Sequence, residues 1–83
     1  MTTNYNILPE HMRDGMRLYI EQGIEGGSFM MAVLENNLVR AFSCADSINS
    51  ARMRDFAAFL YMEAPSQCWG SREKVVAWIE RHP

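Results

Sequence analysis

The sequence of 83 residues has few of the residue types that build metal and disulfide sites. It contains two cysteines, Cys44 and Cys68, and two histidines, His11 and His82. Neither cysteine belongs to a CxxC pair and the histidines lie near the chain ends, which argues against a four-ligand zinc site. A disulfide between the two cysteines is geometrically possible. Because the N-terminus carries no secretion signal, we expect instead two buried thiols in a reducing compartment.

Excess charge and long apolar runs are also missing. The net charge is −2, and no apolar run approaches the length of a membrane span. The chain therefore lacks the surplus of cations on which non-specific nucleic-acid binding depends. Lys74 is the only lysine among eight cationic residues. The seven arginines either bind carboxylate or phosphate groups through their planar fork or are ordinary surface residues.

The apolar spacing predicts an all-α fold, a small bundle of about four short helices. We expect helices over residues 9–22, 29–44 and 51–63, and a last helix that Ser71 caps and that ends by His82. No sustained alternation of apolar and polar residues and no Asn-Gly turn indicates a strand. Short connections imply that neighbouring helices pack roughly antiparallel.

A chain of this length forms one domain, with residues 1–8 as a flexible N-terminal arm and residues 9–83 as a single helical domain. A bundle this small buries one apolar stripe per helix. Phe59 and Met62 lie off the stripe of the third helix, and Trp78 lies off the Val75–Ile79 edge of the last helix. We therefore expect a homo-oligomer with these three side chains in its interface.

The loop PSQCWGS, residues 65–71, is the first candidate binding site. Trp69 offers a large aromatic face beside the free amides of the last helix and the Ser71 hydroxyl. Pro65 and Gly70 restrict the path of the loop. This combination suits a nucleobase with its phosphate. Alternatively, Trp69 only closes the end of the bundle.

The polar stretches ENNLVR and ADSINS form the second candidate. Asn36, Asn37 and Arg40 share a face of the predicted second helix, and Asp46 and Asn49 follow it. Asparagine is a poor helix former, so a ligand or another chain could compensate for its presence. The alternative is a solvated polar face.

Catalytic and DNA-binding patterns are absent. The sequence has no GxSxG, GxxxxGK[ST] or HExxH motif. Cys68 precedes a helix, but the only histidines lie near the chain ends, so we expect a packing thiol rather than a nucleophile. Arg52 and Arg54 are opposed by Asp55 and Glu63, which disfavours a DNA-recognition helix.

The segments GGSFMMAVLENNLVRAFSCAD and EAPSQCWGSREKVVAWIE resemble a family of short proteins encoded by tailed phages and prophages. In that family a GGF-x2-AVL-x-NDL helix is followed by AD-x2-N, then by P-x2-CWGS and a final helix. The resemblance covers residues 24–80 and departs where Asn37 replaces the acid of NDL. It implies a phage accessory protein in the bacterial cytoplasm that acts in phage–host conflict.

Together these patterns predict a non-enzymatic binding protein, without a cofactor, that sequesters a small anionic ligand such as a signalling nucleotide. Trp69 would stack on the base, Arg40 would pair with phosphate, and Asn36 or Asn49 would read polar edges. The predicted ligand-binding residues are Asn36, Arg40, Asp46, Asn49, Trp69, Gly70 and Ser71. Two alternatives stay open, a protein–protein inhibitor of a host defence effector that uses an exposed helix face and a structural or regulatory phage component.

Overall fold

A computed structural model describes residues 3–82, which form six α-helices joined by short turns. The helices are α1 (Glu10–Gln22), α2 (Ser28–Leu34), α3 (Leu38–Cys44), α4 (Ser47–Ala51), α5 (Met53–Met62) and α6 (Arg72–Glu80). Two short 3-10 helices span Tyr5–Ile7 and Ser66–Cys68. No strand occurs between residues 3 and 82, so the predicted all-α class is confirmed for this part of the chain.

Helix α1 begins and ends at its sequence signals, close to the predicted range 9–22. Pro9 is its N-cap, and Gly23 at its C-terminus adopts the left-handed conformation with φ 66°. The Gly23 N–H donates to the carbonyl oxygen of Tyr19 at 2.9 Å. This turn is packed against the end of the chain, since a Cβ atom at Gly23 would lie 2.5 Å from Cβ of His82.

The prediction of one helix over residues 29–44 is wrong, because two asparagines divide it into α2 and α3. Asn36 adopts a left-handed φ of 62°, which asparagine tolerates better than most residues. Asn37 is the N-cap of α3, and its Oδ1 accepts a hydrogen bond from the backbone N–H of Arg40 at 3.2 Å. The two asparagines therefore terminate and start helices, and they do not share a helix face with Arg40.

The predicted helix over residues 51–63 begins later, at α5, and the short helix α4 precedes it. Asp46 caps α4, with its Oδ1 accepting from the backbone N–H of Asn49 at 2.7 Å. The backbone leaves the helical region at Arg52, where φ is −112° and ψ is 18°. Residues 3–82 consequently contain six α-helices rather than about four.

The prediction of a flexible N-terminal arm is also corrected, because the segment of residues 3–8 packs onto the bundle. Leu8 is fully buried. Arg52 Nη2 donates a hydrogen bond to the carbonyl oxygen of Ile7 at 2.8 Å and so fixes this segment to the start of α5. Residues 1–2 of the predicted arm lie outside the described residues.

Two of the three predicted interface side chains belong to the core of the single chain. Phe59 is 0% exposed and Trp78 is 8% exposed, so the prediction that they lie outside the core is wrong. Phe59 is buried because the N-terminal segment covers it, with the centre of the Tyr5 ring 5.6 Å from the centre of the Phe59 ring. Met62 is 69% exposed. Oligomerisation stays a prediction, now with one of its three supporting residues on the surface.

Candidate functional site

The Trp69 loop is held closely against the bundle. The Trp69 ring is half-buried and packs against the core, and its indole Nε1 is buried without a hydrogen-bond partner in residues 3–82. The Gly70 N–H donates to the carbonyl oxygen of Leu34 at 2.8 Å. Ser71 Oγ accepts from the backbone N–H of Lys74 at 3.2 Å, as the predicted cap of α6. The Gly70 N–H and the Ser71 hydroxyl oxygen are therefore engaged within the protein and the Trp69 ring packs on the core, which favours the packing interpretation of this loop.

A buried tyrosine anchors the same loop. The Tyr19 hydroxyl donates to the carbonyl oxygen of Cys68 at 2.6 Å, and both residues are fully buried. Burial raises the pKa of the Tyr19 hydroxyl well above its usual range and raises the pKa of Cys68 to about 11. A thiol with this pKa stays protonated at neutral pH and is a poor nucleophile. Cys44 is exposed, so the expectation of two buried thiols holds for Cys68 alone; both cysteines are free.

A polar cleft lies between α2, α3 and the start of α6. Its volume is about 490 Å³, within the 300–1,000 Å³ range typical of small-molecule sites. We call it the Arg40–Arg72 cleft. Its lining residues are Glu25, Gly26, Ser28, Met31, Ala32, Glu35, Asn37, Arg40 and Arg72.

Charges of both signs face this cleft. Arg72 Nη1 lies 3.4 Å from Glu35 Oε2, and the Arg72 side chain is 74% exposed. A contact so long and exposed contributes little, so Arg72 is free to reorient toward a ligand. Arg40 is exposed, and its guanidinium makes no hydrogen bond or ion pair with any residue from 3 to 82. With Glu25 as the second carboxylate, the cleft presents two anion-binding forks and two strong acceptors.

Asp46 and Asn49 lie in a different cavity, of about 430 Å³. Asp46 Oδ2 lies 3.1 Å from His11 Nε2, which links α1 to the start of α4. The hydrogen bond from the Asn49 backbone N–H, reinforced by His11, holds the pKa of the Asp46 carboxyl below its usual range. Asn49 is 3% exposed, and its Nδ2 lies 3.5 Å from Met12 Sδ. These two polar residues hold helices together at a place separate from Arg40.

The structure thus does not bring the predicted ligand-binding residues into one cavity. Arg40 lines the cleft, whereas Asn36 lines an adjoining apolar groove. Sequence reasoning missed Arg72 and Glu35 as neighbours of Arg40. No sequence signal could have found them, because Arg72 is distant from Arg40 in the sequence and approaches it only where the start of α6 contacts the end of α2 and the turn after it.

Comparisons with protein-family models, with curated proteins and with solved structures find no match to this chain. No helix within the described residues is both long and apolar enough to cross a membrane. The same part of the chain contains no group of three histidine, cysteine, aspartate or glutamate side chains arranged to hold a metal ion.

Proposed function

We propose that this protein is a non-enzymatic binding protein that sequesters a small anionic ligand, such as a signalling nucleotide, in the Arg40–Arg72 cleft. The observation that carries the proposal is that two arginines from different helices line one cavity of ligand size. Arginine binds phosphate oxygens through two parallel hydrogen bonds, so a pair of guanidinium groups suits a phosphorylated ligand. The resemblance of residues 24–80 to tailed-phage proteins supports a setting in phage–host conflict, where capture of a signal would act against a host defence.

The mixed charge of the cleft supports a nucleotide rather than a bare anion. Glu25 and Glu35 lower the attraction for an inorganic ion, because their charges offset those of the two arginines. A nucleotide offers phosphate to the arginines and also hydroxyl or amine donors to the carboxylates. Carboxylates accept hydrogen bonds from ribose hydroxyls in many dinucleotide sites. The Ser28 hydroxyl adds a neutral hydrogen-bonding group.

This proposal gives Trp69, Asn36 and Asn49 no direct contact with the ligand. The Trp69 ring instead packs its loop against the core, and the loop positions the backbone of Arg72 at the start of α6. Base stacking is therefore not part of the mechanism. The ligand is held by charge and hydrogen bonds, so we expect its affinity to fall as the salt concentration rises.

The test is a panel of cyclic and linear nucleotides in thermal-shift measurements, followed by calorimetry on any ligand that stabilises the protein. A ligand at 100 times its dissociation constant adds about 2.7 kcal/mol to the free energy of unfolding. For a domain of this size the midpoint then rises by roughly 10 °C or more. Inorganic phosphate belongs in the panel, since we expect it to stabilise the protein less than a nucleotide does.

Variants then locate the site. Arg40→Ala and Arg72→Ala should each weaken binding about tenfold or more, because each removes a charge-assisted hydrogen bond. Arg54→Ala is the matched control, an exposed arginine outside the cleft, and should leave the affinity unchanged. A panel without any stabilising nucleotide, or binding that survives both cleft substitutions, would contradict the proposal.

A further inference from the structure

An apolar groove runs between the α2–α3 pair and α5, and it adjoins the Arg40–Arg72 cleft at Ala32 and Asn37. Its volume is about 270 Å³. The lining residues are Ala32, Val33, Asn36, Asn37, Leu38, Ala41, Met53, Arg54, Phe56, Ala57 and Leu60. Eight of these eleven are apolar, and the small alanines on α2, α3 and α5 leave room for side chains from outside.

Apolar side chains continue the groove along both of its walls. Leu38 on α3 is 65% exposed, and Phe42, one turn further along the same helix, is 48% exposed. On α5, Tyr61 lies one turn after Ala57 and is 85% exposed. Residues four positions apart share a helix face, so each wall presents a continuous apolar strip. Contiguous exposed apolar surface of this kind marks an interaction site more often than scattered single residues do.

The groove carries positive charge and no negative charge. Arg54 is the one charged residue in its described lining. Arg54 is exposed, and its guanidinium has no ion-pair partner within residues 3–82. The neighbouring carboxylate, Asp55, is bound by Arg52 instead. An occupant that places a carboxylate beside Arg54 would therefore complement the groove in charge as well as in polarity.

We propose that this groove binds an amphipathic helix of a partner protein, with apolar side chains at positions i, i+3, i+4 and i+7 and an aspartate or glutamate beside Arg54. Helices bind in this way to apolar grooves formed between two helices. The ten residues of α5 span about 15 Å, which matches about three turns of a partner helix. The groove shares Ala32 and Asn37 with the Arg40–Arg72 cleft, but neither Arg40 nor Arg72 lines it, so the proposal goes beyond ligand capture.

Charge also disfavours a second copy of this chain that docks groove to groove. Two copies that met groove to groove across a two-fold axis would bring both Arg54 side chains into one interface. Like charges in an interface oppose association. A partner with acidic residues relieves this repulsion and gains an ion pair.

The test uses two synthetic amphipathic peptides of about 16 residues, long enough to form a helix on binding. Both carry leucine at i, i+3, i+4 and i+7; one has glutamate on the flanks of the leucine face and the other has lysine at the same positions. Fluorescence anisotropy gives the affinity for the full chain. We expect the glutamate peptide to bind at least about threefold more tightly than the lysine peptide, and the preference to shrink in high salt.

Three variants distinguish charge recognition from non-specific binding of apolar peptides. Arg54→Glu should reverse the preference so that the lysine peptide binds more tightly. Ala57→Arg should weaken both peptides about tenfold or more by filling the groove, and arginine is well tolerated at an exposed helix position. Leu38→Ser gives a second variant that weakens binding without adding charge. Arg81→Ala, which removes an exposed arginine outside both the groove and the cleft, is the control and should leave the affinity for both peptides unchanged.

Equal affinity for the two peptides, or a preference that Arg54→Glu does not change, would overturn the proposal, as would no binding of the glutamate peptide. Sedimentation supplies a further outcome. A dimer in solution that Ala57→Arg dissociates would assign the groove to a second copy and would also overturn it.

Discussion

Replacing Tyr19 with phenylalanine removes one oxygen atom from the interior of the bundle and leaves its packing almost unchanged. The Tyr19 hydroxyl is the donor to the Cys68 carbonyl oxygen at 2.6 Å, and both residues are fully buried. No backbone N–H within residues 3–82 donates to that carbonyl. The variant therefore leaves a buried acceptor unpaired and opens no large cavity.

The expected loss follows from the cost of an unpaired buried carbonyl group, about 1–3 kcal/mol in the free energy of unfolding. In a domain of this size the thermal midpoint should fall by roughly 5–20 °C. Native domains have about 5–15 kcal/mol of stability, so the variant should remain folded at room temperature. The loss reports directly on the anchoring of the Trp69 loop to α1.

Urea unfolding of the parent and of two variants measures this difference. Tyr61→Phe is the matched control, because it removes the same oxygen atom from a side chain that is 85% exposed. The control should change stability by less than about 0.5 kcal/mol. A Tyr19→Phe variant as stable as Tyr61→Phe would refute the argument that this hydrogen bond holds the loop.

Three further predictions concern pH and backbone conformation. Burial raises the pKa of Tyr5 from 10.0 to about 12 and that of Cys68 from 9.0 to about 11, so the unfolded chain loses these protons at lower pH than the folded chain does. The free energy of unfolding, measured by denaturation at a series of pH values, should therefore fall from pH 9.0 to about 12. A constant free energy over this range would contradict the burial of both groups. Asn36→Gly should match or exceed the parent in thermal midpoint, while Asn36→Val should lose about 1–2 kcal/mol at the left-handed position; equal midpoints for the two variants would argue against that conformation. Gly23→Ala should lose more than about 1 kcal/mol of stability in the same assay. The left-handed φ of Gly23 disfavours a side chain, and an added Cβ atom would lie 2.5 Å from the Cβ atom of His82. An unchanged midpoint would show that the turn relaxes.

Helix ends with a strong local signal could be predicted from the sequence. Gly23 ends α1 and Ser71 caps α6 because each interacts with backbone groups only a few positions away. No local sequence signal of similar strength marks the break at Asn36. The apolar residues of α2 and α3 continue one helical period across the break, so periodicity favoured a single helix. The break is tolerated because α2 buries most of its apolar residues and α3 buries Ala41, and this tertiary packing cannot be read from the local sequence.

The wrong predictions about the core and the site also arose because tertiary packing decides which residues meet. The prediction for Phe59 assumed that each helix buries one apolar stripe, but the ring of Tyr5 in the N-terminal segment covers a second side of α5. The candidate site likewise combined residues by type rather than by position. Arg40 was singled out for its chemistry, and only the docking of α6 supplies Arg72 as its partner in the cleft.

Nuclear magnetic resonance of the N–H groups tests the ligand site most directly, in a titration of the isotope-labelled protein with a nucleotide that stabilises it. The central claim is that the ligand binds in the Arg40–Arg72 cleft and not at the Trp69 loop. We expect the largest shifts at the backbone amides of Gly26, Arg40 and Arg72, and almost no shift of the Trp69 indole N–H signal. The largest shift at the Trp69 indole, or no shift at the three cleft amides, would contradict it.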